Sequence, residues 1–292
     1  MKRLIHGAAL VCAAAWAAPA DTAIDETRAA GPNDHIEILN VSGSVDVQGW
    51  DRNEVRVTGT LGRNVEKFAF DRKDDETLIK VIIPKGARNV GSTSIVVRAP
   101  AGNVVHVESV SGSIEVRDMR ADLELNTTSG SVRVTNCAGD VQAESLSGSV
   151  HLDGDFGEVE ALSKSGSVKV RTVRDEVRAS SLSGSIEVEA VAPKRVECES
   201  MSGSVSYTGG LAPDAKLEAS TQSGSVKLRL PADVSARVRA ETFSGGIKNE
   251  INGAQPDRPQ YGPGESLNAK FGDGSASIDA SAFSGSVSLL KK

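Results

Sequence analysis

The residue types that carry out chemistry are few and scattered. The sequence holds four histidines and three cysteines. His35, His106 and His151 stand far apart, with no second ligand at metal-binding spacing, so each reads as a solvated strand residue. No Gly-x-Ser-x-Gly elbow, phosphate loop, dinucleotide fingerprint, His-Glu-x-x-His or Cys-x-x-Cys is present. Asp153-Gly154-Asp155-Phe156-Gly157-Glu158 resembles a calcium loop in outline but lacks the alternating ligands and the closing bidentate glutamate, and reads as a turn. Enzymes that cleave polysaccharides on β-helices gather acids in a loop-walled cleft lined with aromatics. Here one loop is long, residues 252–265, and aromatics make up 3% of the chain. The expectation is therefore a non-enzymatic protein without metal or cofactor. A carbohydrate-active β-helix is the alternative, and it would show itself as an acidic cleft near that loop.

The elements that must position these residues begin after an export signal. Lys2 and Arg3 precede an apolar run from Leu4 to Ala17, and Ala18-Pro19-Ala20 is a cleavage site of the small-x-small type. Cys12 is a poorer candidate for lipidation, because Val11 stands where a small residue should precede it. Removing Lys2 and Arg3 takes the formal net charge from −6 to −8, which argues against nucleic acid as a partner. No later stretch is long and apolar enough for a spanning helix. The reading is an exported protein, bound for the periplasm or the cell surface.

An internal repeat decides the architecture. Ser-Gly recurs with its glycine at 43, 112, 130, 148, 166, 184, 203, 224, 245 and 285. The step is 18 residues from Gly112 to Gly184 and then lengthens to 19 and 21. Within each unit an apolar-x-apolar doublet returns every nine residues, as in Val132/Val134, Val141/Ala143, Val150/Leu152 and Val159/Ala161. Alternation with period two marks strands with one buried face, and nine residues leave no room for a helical crossover. The spacing predicts an all-β, parallel β-solenoid (β-helix-like) of about 18–21 residues and two strands per coil. Hexapeptide acyltransferases share the 18-residue coil but have an apolar period of six, and the Gly-Gly-x-Gly-x-Asp turns of calcium β-rolls are missing. Glycine at the corner is expected to supply a positive φ, with flanking hydroxyls bonding freed backbone groups.

Four parts follow: a signal (1–20), a mobile leader (21–34), an irregular β N-terminal cap or longer coils (35–104), and the regular solenoid (105–292). The loop at 252–265 accounts for the doubled spacing from Gly245 to Gly285, and a last coil, Ser275 to Leu290, closes the stack. Cys198 takes an inward alanine position and Cys137 a turn, more than three coils apart, so both thiols are expected free. The Ser-Gly-Ser-Val units, the segment Leu230-Pro231-Ala232-Asp233-Val234 to Glu241-Thr242-Phe243-Ser244-Gly245, and Gly272-Asp273-Gly274-Ser275 to Phe283-Ser284-Gly285 resemble the bacterial putative-adhesin family of β-strand-repeat proteins, a domain of unknown function. The resemblance spans roughly residues 35–290. It implies a fold and an adhesin-like role, and brings no catalytic motif.

Stacking the coils turns outward positions into rows. The strands after each corner carry a basic-leaning set, with Arg117, Arg133, Lys169, Arg171, Lys227 and Arg229 as the candidate interaction face, while the other strands lean acidic. Such a face could dock an anionic envelope polysaccharide, an envelope protein or another copy; the plain alternative is that the charges only keep exposed sheets soluble. The residues before each Ser-Gly form a mostly apolar row: Val110, Thr128, Leu146, Lys164, Leu182, Met201, Gln222, Phe243 and Phe283. Strand parity points them outward, but the corner is expected to fold them inward or against one another. The function expected is an exported adhesin-like binding or structural module of the cell envelope; a self-assembling element is the second alternative.

Overall fold

The computed structural model describes residues 22–86, 90–258, 260 and 263–292; the expected signal lies outside them. Among the described residues the regular elements are all strands. The N-terminal region supplies β1 (Thr22–Ala29), β2 (His35–Ser42), β3 (Val45–Trp50), β4 (Glu54–Leu61), β5 (Lys67–Lys73), β6 (Glu76–Ile82) and β7 (Ser94–Pro100). The repeats supply β8 (Val104–Ser111), β9 (Ile114–Arg117), β10 (Leu123–Thr127), β11 (Val132–Ser145), β12 (Val150–Ser163), β13 (Val168–Ser181), β14 (Ile186–Ala190), β15 (Arg195–Ser202), β16 (Val205–Gly209), β17 (Lys216–Ser223), β18 (Val226–Leu230), β19 (Ala236–Ser244) and β20 (Ile247–Asn249). The chain ends with β21 (Glu265–Phe271), β22 (Ala276–Ser284) and β23 (Val287–Lys291).

These strands form two ladders of stacked rungs. The first runs β5, β6, β2, β8, β10, the C-terminal halves of β11 to β13, β15, β17, β22, β19 and β21. The second runs β1, β4, β7, β3, β9, the N-terminal halves of β11 to β13, β14, β16, β18, β23 and β20. Pairing is parallel throughout the stack and turns antiparallel only at its ends, in β5–β6, β1–β4, β4–β7 and β19–β21. This is the predicted β-solenoid. Its doublets point inward as the alternation requires: Val132, Val134, Ala143, Val150, Leu152 and Ala161 are all fully buried. In β11, β12 and β13 the two expected strands merge into one of 14 residues, because the chain arcs through a bulge while ladder bonds hold on both sides. Positive-φ residues make room for the arc, Asn136 (φ 54°) and Gly139 (φ 117°) in β11 and Thr172 (φ 59°) in β13.

Both ends depart from the sequence reading. The coil of β2 and β3 lies between the coil of β6 and β7 and that of β8 and β9. The last coil in the chain, β22 with β23, does not close the stack; it is inserted between β17/β18 and β19/β20. Residues expected in a mobile leader form β1, which pairs along its whole length with β4, buries Ile24 and ties Arg56 to Asp25 at 2.8 Å. The reason is the unpaired backbone that an open solenoid end would otherwise expose.

The corners show why glycine recurs. Gly112, Gly130, Gly148, Gly166, Gly184 and Gly203 each set their Cα against the carbonyl oxygen of the preceding corner glycine, leaving no space for a Cβ. The contact series then continues from Gly203 to Gly224, Gly285 and Gly245, the order of the stack and not of the chain. None of the six central glycines has a positive φ, so there a steric reason, close approach, replaces the expected conformational one; Gly43, Gly224, Gly245 and Gly285, with φ of 107°, 155°, 155° and 149°, meet the expectation as well.

A hydroxyl three residues before the glycine completes most corners; Gly43 has Asn40 there and Gly285 has Ala282. Ser145, Ser163 and Ser181 point inward and donate to the carbonyls of Gly130, Gly148 and Gly166 at 2.8, 2.8 and 3.0 Å. Ser200 and Thr221 repeat the bond to Gly184 and Gly203 at 2.9 and 2.8 Å. Each such bond contributes about 1 kcal/mol and satisfies a carbonyl that the turn leaves without a ladder partner.

Gly148→Ala should therefore lower stability by roughly 2 kcal/mol or more. Gly246→Ala, at the next position of a corner where the nearest atom to an added Cβ is 3.6 Å away, should change it by less than about 0.5 kcal/mol. Urea midpoints measured side by side decide the matter: equal losses would remove the steric account of the corner.

Candidate functional site

The second ladder places the six candidate cations in two registered rows. Glu115, Arg133, His151, Lys169, Glu187, Ser206, Lys227, Ser288 and Lys248 follow one another, and beside them Arg117, Thr135, Asp153, Arg171, Glu189, Thr208, Arg229 and Leu290. The register explains which charges remain available. Arg117 donates to Asp46 of β3 at 2.6 Å, which holds its guanidinium pKa above the ordinary value. Lys169 pairs with Glu187 at 2.8 Å, and Arg171 lies between Asp153 and Glu189 at 3.8 and 3.6 Å. Among the described residues Arg133 and Lys227 have no ion-pair partner, and Arg229 reaches only the Ser206 hydroxyl at 3.5 Å. Burial, then Arg133 and Arg171, push the His151 pKa down, so it stands neutral among these cations at neutral pH.

The first ladder carries the acidic rows. One of them reads Glu108, Asn126, Glu144, Leu162, Ser180, Glu199, Ser220, Ser281 and Glu241, a stretch without lysine or arginine, and continues beyond Glu108 through Leu39 to Lys80. Glu241 is paired with Arg239 at 2.8 Å; Glu144 and Glu199 have no cationic partner among the described residues. Two residues further along each strand stands the apolar row, and it faces solvent. Val110, Met201, Phe243 and Phe283 are each more than half exposed, with Leu146 and Leu182 close behind. Of the two outcomes expected at the corner, folding inward is overturned, since the row keeps its outward parity, and packing against one another holds for Phe243 and Phe283. Phe243 and Phe283, 40 positions apart in the chain, become neighbours through the inserted coil and stack with centroids 4.6 Å apart and planes 2° from parallel.

At the C-terminal end this row forms one wall of a groove of about 730 Å³. Met201, Phe243 and Phe283 supply its apolar floor, and Glu199, Glu241, Asp257, Arg258 and Glu265 its charges. A cleft with carboxylates therefore does lie beside the long loop. Glu265, however, is not set up as a proton donor. It sits at the inward hydroxyl position opposite Thr242, accepts from the Ile247 amide and from Arg258 at 2.6 Å each, and has its pKa pulled below the ordinary carboxylate value by these bonds. Sequence reasoning missed this clasp because Glu265 looked like loop. Its only signal was its place after three prolines, at the start of an alternating Glu265-Ser266-Leu267 segment.

The remaining reactive groups are sealed in the core. Cys137 and Cys198 are free and buried. Cys137 lies in the arc of β11 and not in an exposed turn, donating to Thr135 and accepting from Met119 at 3.4 Å each. Burial pushes the Cys198 thiol up to about 12, and raises Cys137 as well, so neither is a thiolate at neutral pH. Among the described residues no cluster of His, Cys, Asp and Glu is arranged to hold a metal ion, and no helix is long and apolar enough to cross a membrane.

Comparison with known proteins agrees with the resemblance seen in the sequence. The family model described as Toastrack DUF4097 matches residues 30–290. Solved structures similar to the chain include a putative adhesin from Bacteroides fragilis, 14% identical, covering 93% of this chain and 99% of its own, with a TM-score of 0.49. A putative adhesin from Parabacteroides distasonis is 11% identical over 92% of this chain and 97% of its own, with a TM-score of 0.31. A putative lipid binding protein from the same species is 14% identical over 91% and 96%, with a TM-score of 0.32. No curated protein matches the sequence.

The Glu265 clasp has a pH signature. Its depressed pKa means that the clasp stabilises the fold above the unfolded value of about 4.3 and loses that contribution as pH falls through the folded value. Glu265→Gln should lower the thermal midpoint at pH 7 and make its fall between about pH 5 and 3 shallower than in the unaltered protein. Parallel acid profiles of the two proteins would count against the clasp.

Proposed function

The chain belongs to the Toastrack DUF4097 family, and from that premise we propose that it is an exported, non-enzymatic, adhesin-like binding or structural module of the bacterial cell envelope that works through the faces of the solenoid. The observation that carries the reading is the register. The outward side chains of the second ladder stand in straight rows at a rung spacing of about 4.8 Å, fixed by the corner glycines beneath them. A rigid, periodic surface of this kind suits a repeating polymer better than it suits a small substrate. The contact residues proposed are Arg133, Lys227 and Arg229, whose charges are not consumed by neighbouring carboxylates, with Arg117, Lys169 and Arg171 as supporting members of the rows. The ligand they fit is an anionic envelope polysaccharide. Export rests on the Lys2-Arg3, apolar-run and Ala18-Pro19-Ala20 pattern.

The carboxylates beside the long loop favour a second reading, a carbohydrate-active β-helix, which release of reducing ends from envelope polysaccharides would reveal. The clasped state of Glu265 weighs against it.

Co-sedimentation of residues 21–292 with isolated envelopes and with separated polysaccharide fractions, at low and high salt, tests the principal reading. Saturable binding that weakens with salt is expected, and Arg133→Glu/Lys227→Glu/Arg229→Glu should reduce it about tenfold or more. Undiminished binding by that variant would remove the cationic rows from the mechanism; no binding to any fraction would remove the envelope polymer.

A further inference from the structure

The apolar row and the carboxylate row of the first ladder lie side by side, and the proposed contact with anionic polymer uses neither. In stack order Val110, Thr128, Leu146, Lys164, Leu182, Met201, Gln222, Phe283 and Phe243 form one straight exposed row, apolar at six positions and carrying one cation, Lys164. It spans nine rungs, or eight rung spacings, about 38 Å at the parallel-strand spacing. Glu108, Glu144, Glu199 and Glu241 flank it two residues upstream. Depressions occur where the two rows meet. One of about 480 Å³ is bordered by Val110, Leu146, Glu108 and Glu144, with Lys80 at its edge, and the groove of about 730 Å³ by Met201, Phe243, Phe283, Glu199 and Glu241, with Arg258 at its edge and clasped to Glu265.

We infer that this trough is a docking site for a cationic amphipathic polypeptide segment laid lengthwise along the solenoid. Charge complementarity selects the occupant. A mostly apolar exposed row of this length marks an interaction surface. Glu144 and Glu199, which no lysine or arginine neutralises among the described residues, repel an anionic surface and attract a chain that offers apolar and basic side chains on adjoining faces. The length fits as well: about 38 Å corresponds to roughly 25 residues of α-helix. The apolar side chains of such a segment would lie on the Leu and Phe line, with its Lys or Arg groups over Glu144 and Glu199, which have no cationic partner among the described residues. The exposed Phe243–Phe283 stack offers one end of the trough as an anchor for either kind of side chain.

The probe is a fluorescent 24-residue peptide of leucine and lysine in amphipathic helical order, titrated into residues 21–292 by anisotropy, with a leucine–glutamate counterpart as control. The lysine peptide should bind and the glutamate peptide should not. Glu144→Gln/Glu199→Gln/Glu241→Gln and Phe243→Ser/Phe283→Ser should each weaken binding about tenfold. Glu115→Gln/Glu187→Gln/Glu189→Gln, the same change of charge on the other ladder, should alter it less than about twofold. Equal losses in the two glutamate triples would reduce the effect to net charge and overturn the site. Two further results would also overturn it: peptide-free protein that sediments as a dimer broken by Phe243→Ser/Phe283→Ser would assign the trough to a second copy, and equal capture by zwitterionic vesicles would assign it to lipid. Circular dichroism of each variant keeps loss of fold separate from loss of binding.

Discussion

The contact on which the rest of the molecule depends is the one between consecutive corner glycines. Each Cα rests on the carbonyl oxygen of the glycine in the adjacent coil, at a distance no other residue could take up. That contact sets the rise per coil at one rung, so every strand on either side of the corner meets its neighbour in register. The inward hydroxyl three residues earlier binds the same carbonyl and prevents the corner from twisting away. Close approach, register and hydrogen bonding are thus three aspects of one arrangement. A solenoid with so few aromatic side chains holds its shape through this column, with small inward residues such as Ala143, Ala161 and Ala179 stacked beside it.

Much of this was legible in the sequence, because the period of a solenoid is written directly in its spacing. The two ladders, the inward doublets and the place of the corners all follow from an 18-residue step and an alternation of two. Stacking neighbours at the ends were not legible. The same corner motif fits onto any other copy of itself, so the 40 residues from Gly245 to Gly285 permit two stack orders, and only the pairing of β22 with both β17 and β19 distinguishes them. The N-terminal strand was hidden for a related reason. Thr22–Ala29 has the polar composition of a leader, and it becomes a strand because β4 offers it an unpaired edge.

The candidate surfaces divide along the same line. Parity assigned the charged rows correctly to outward positions, since a strand alternates whatever surrounds it. It could not tell which charges cancel: Arg117 is taken up by Asp46, 71 positions earlier, through a coil order that spacing leaves open. The apolar row keeps its outward parity although the backbone already bends at Leu146-Ser147 and at their counterparts in the central coils, because bonds such as Leu146 N–H to the Thr127 carbonyl and Lys164 N–H to the Ser145 carbonyl continue the ladder through this position.

On the proposed reading a surface built this way works differently from a pocket. Each row is a lattice whose spacing is held by the corner column, so affinity along it would come from many weak, equally spaced contacts rather than from one preorganised constellation. Charge placement would then set what each face accepts. In the second ladder Lys227 is free because the register sets it between Ser206 and Ser288, and Arg133 because its neighbours are His151 and Glu115, the latter lying against Arg117. The first ladder retains free carboxylates where Glu144 and Glu199 stand beside asparagine, leucine or serine. The unspent charge marks a rung at which the stack offers no counter-ion that is not already engaged. The charge pattern of each face is therefore a property of the order of coils: the same inserted coil that brings Phe283 against Phe243 also interposes Ser288 between Lys227 and Lys248.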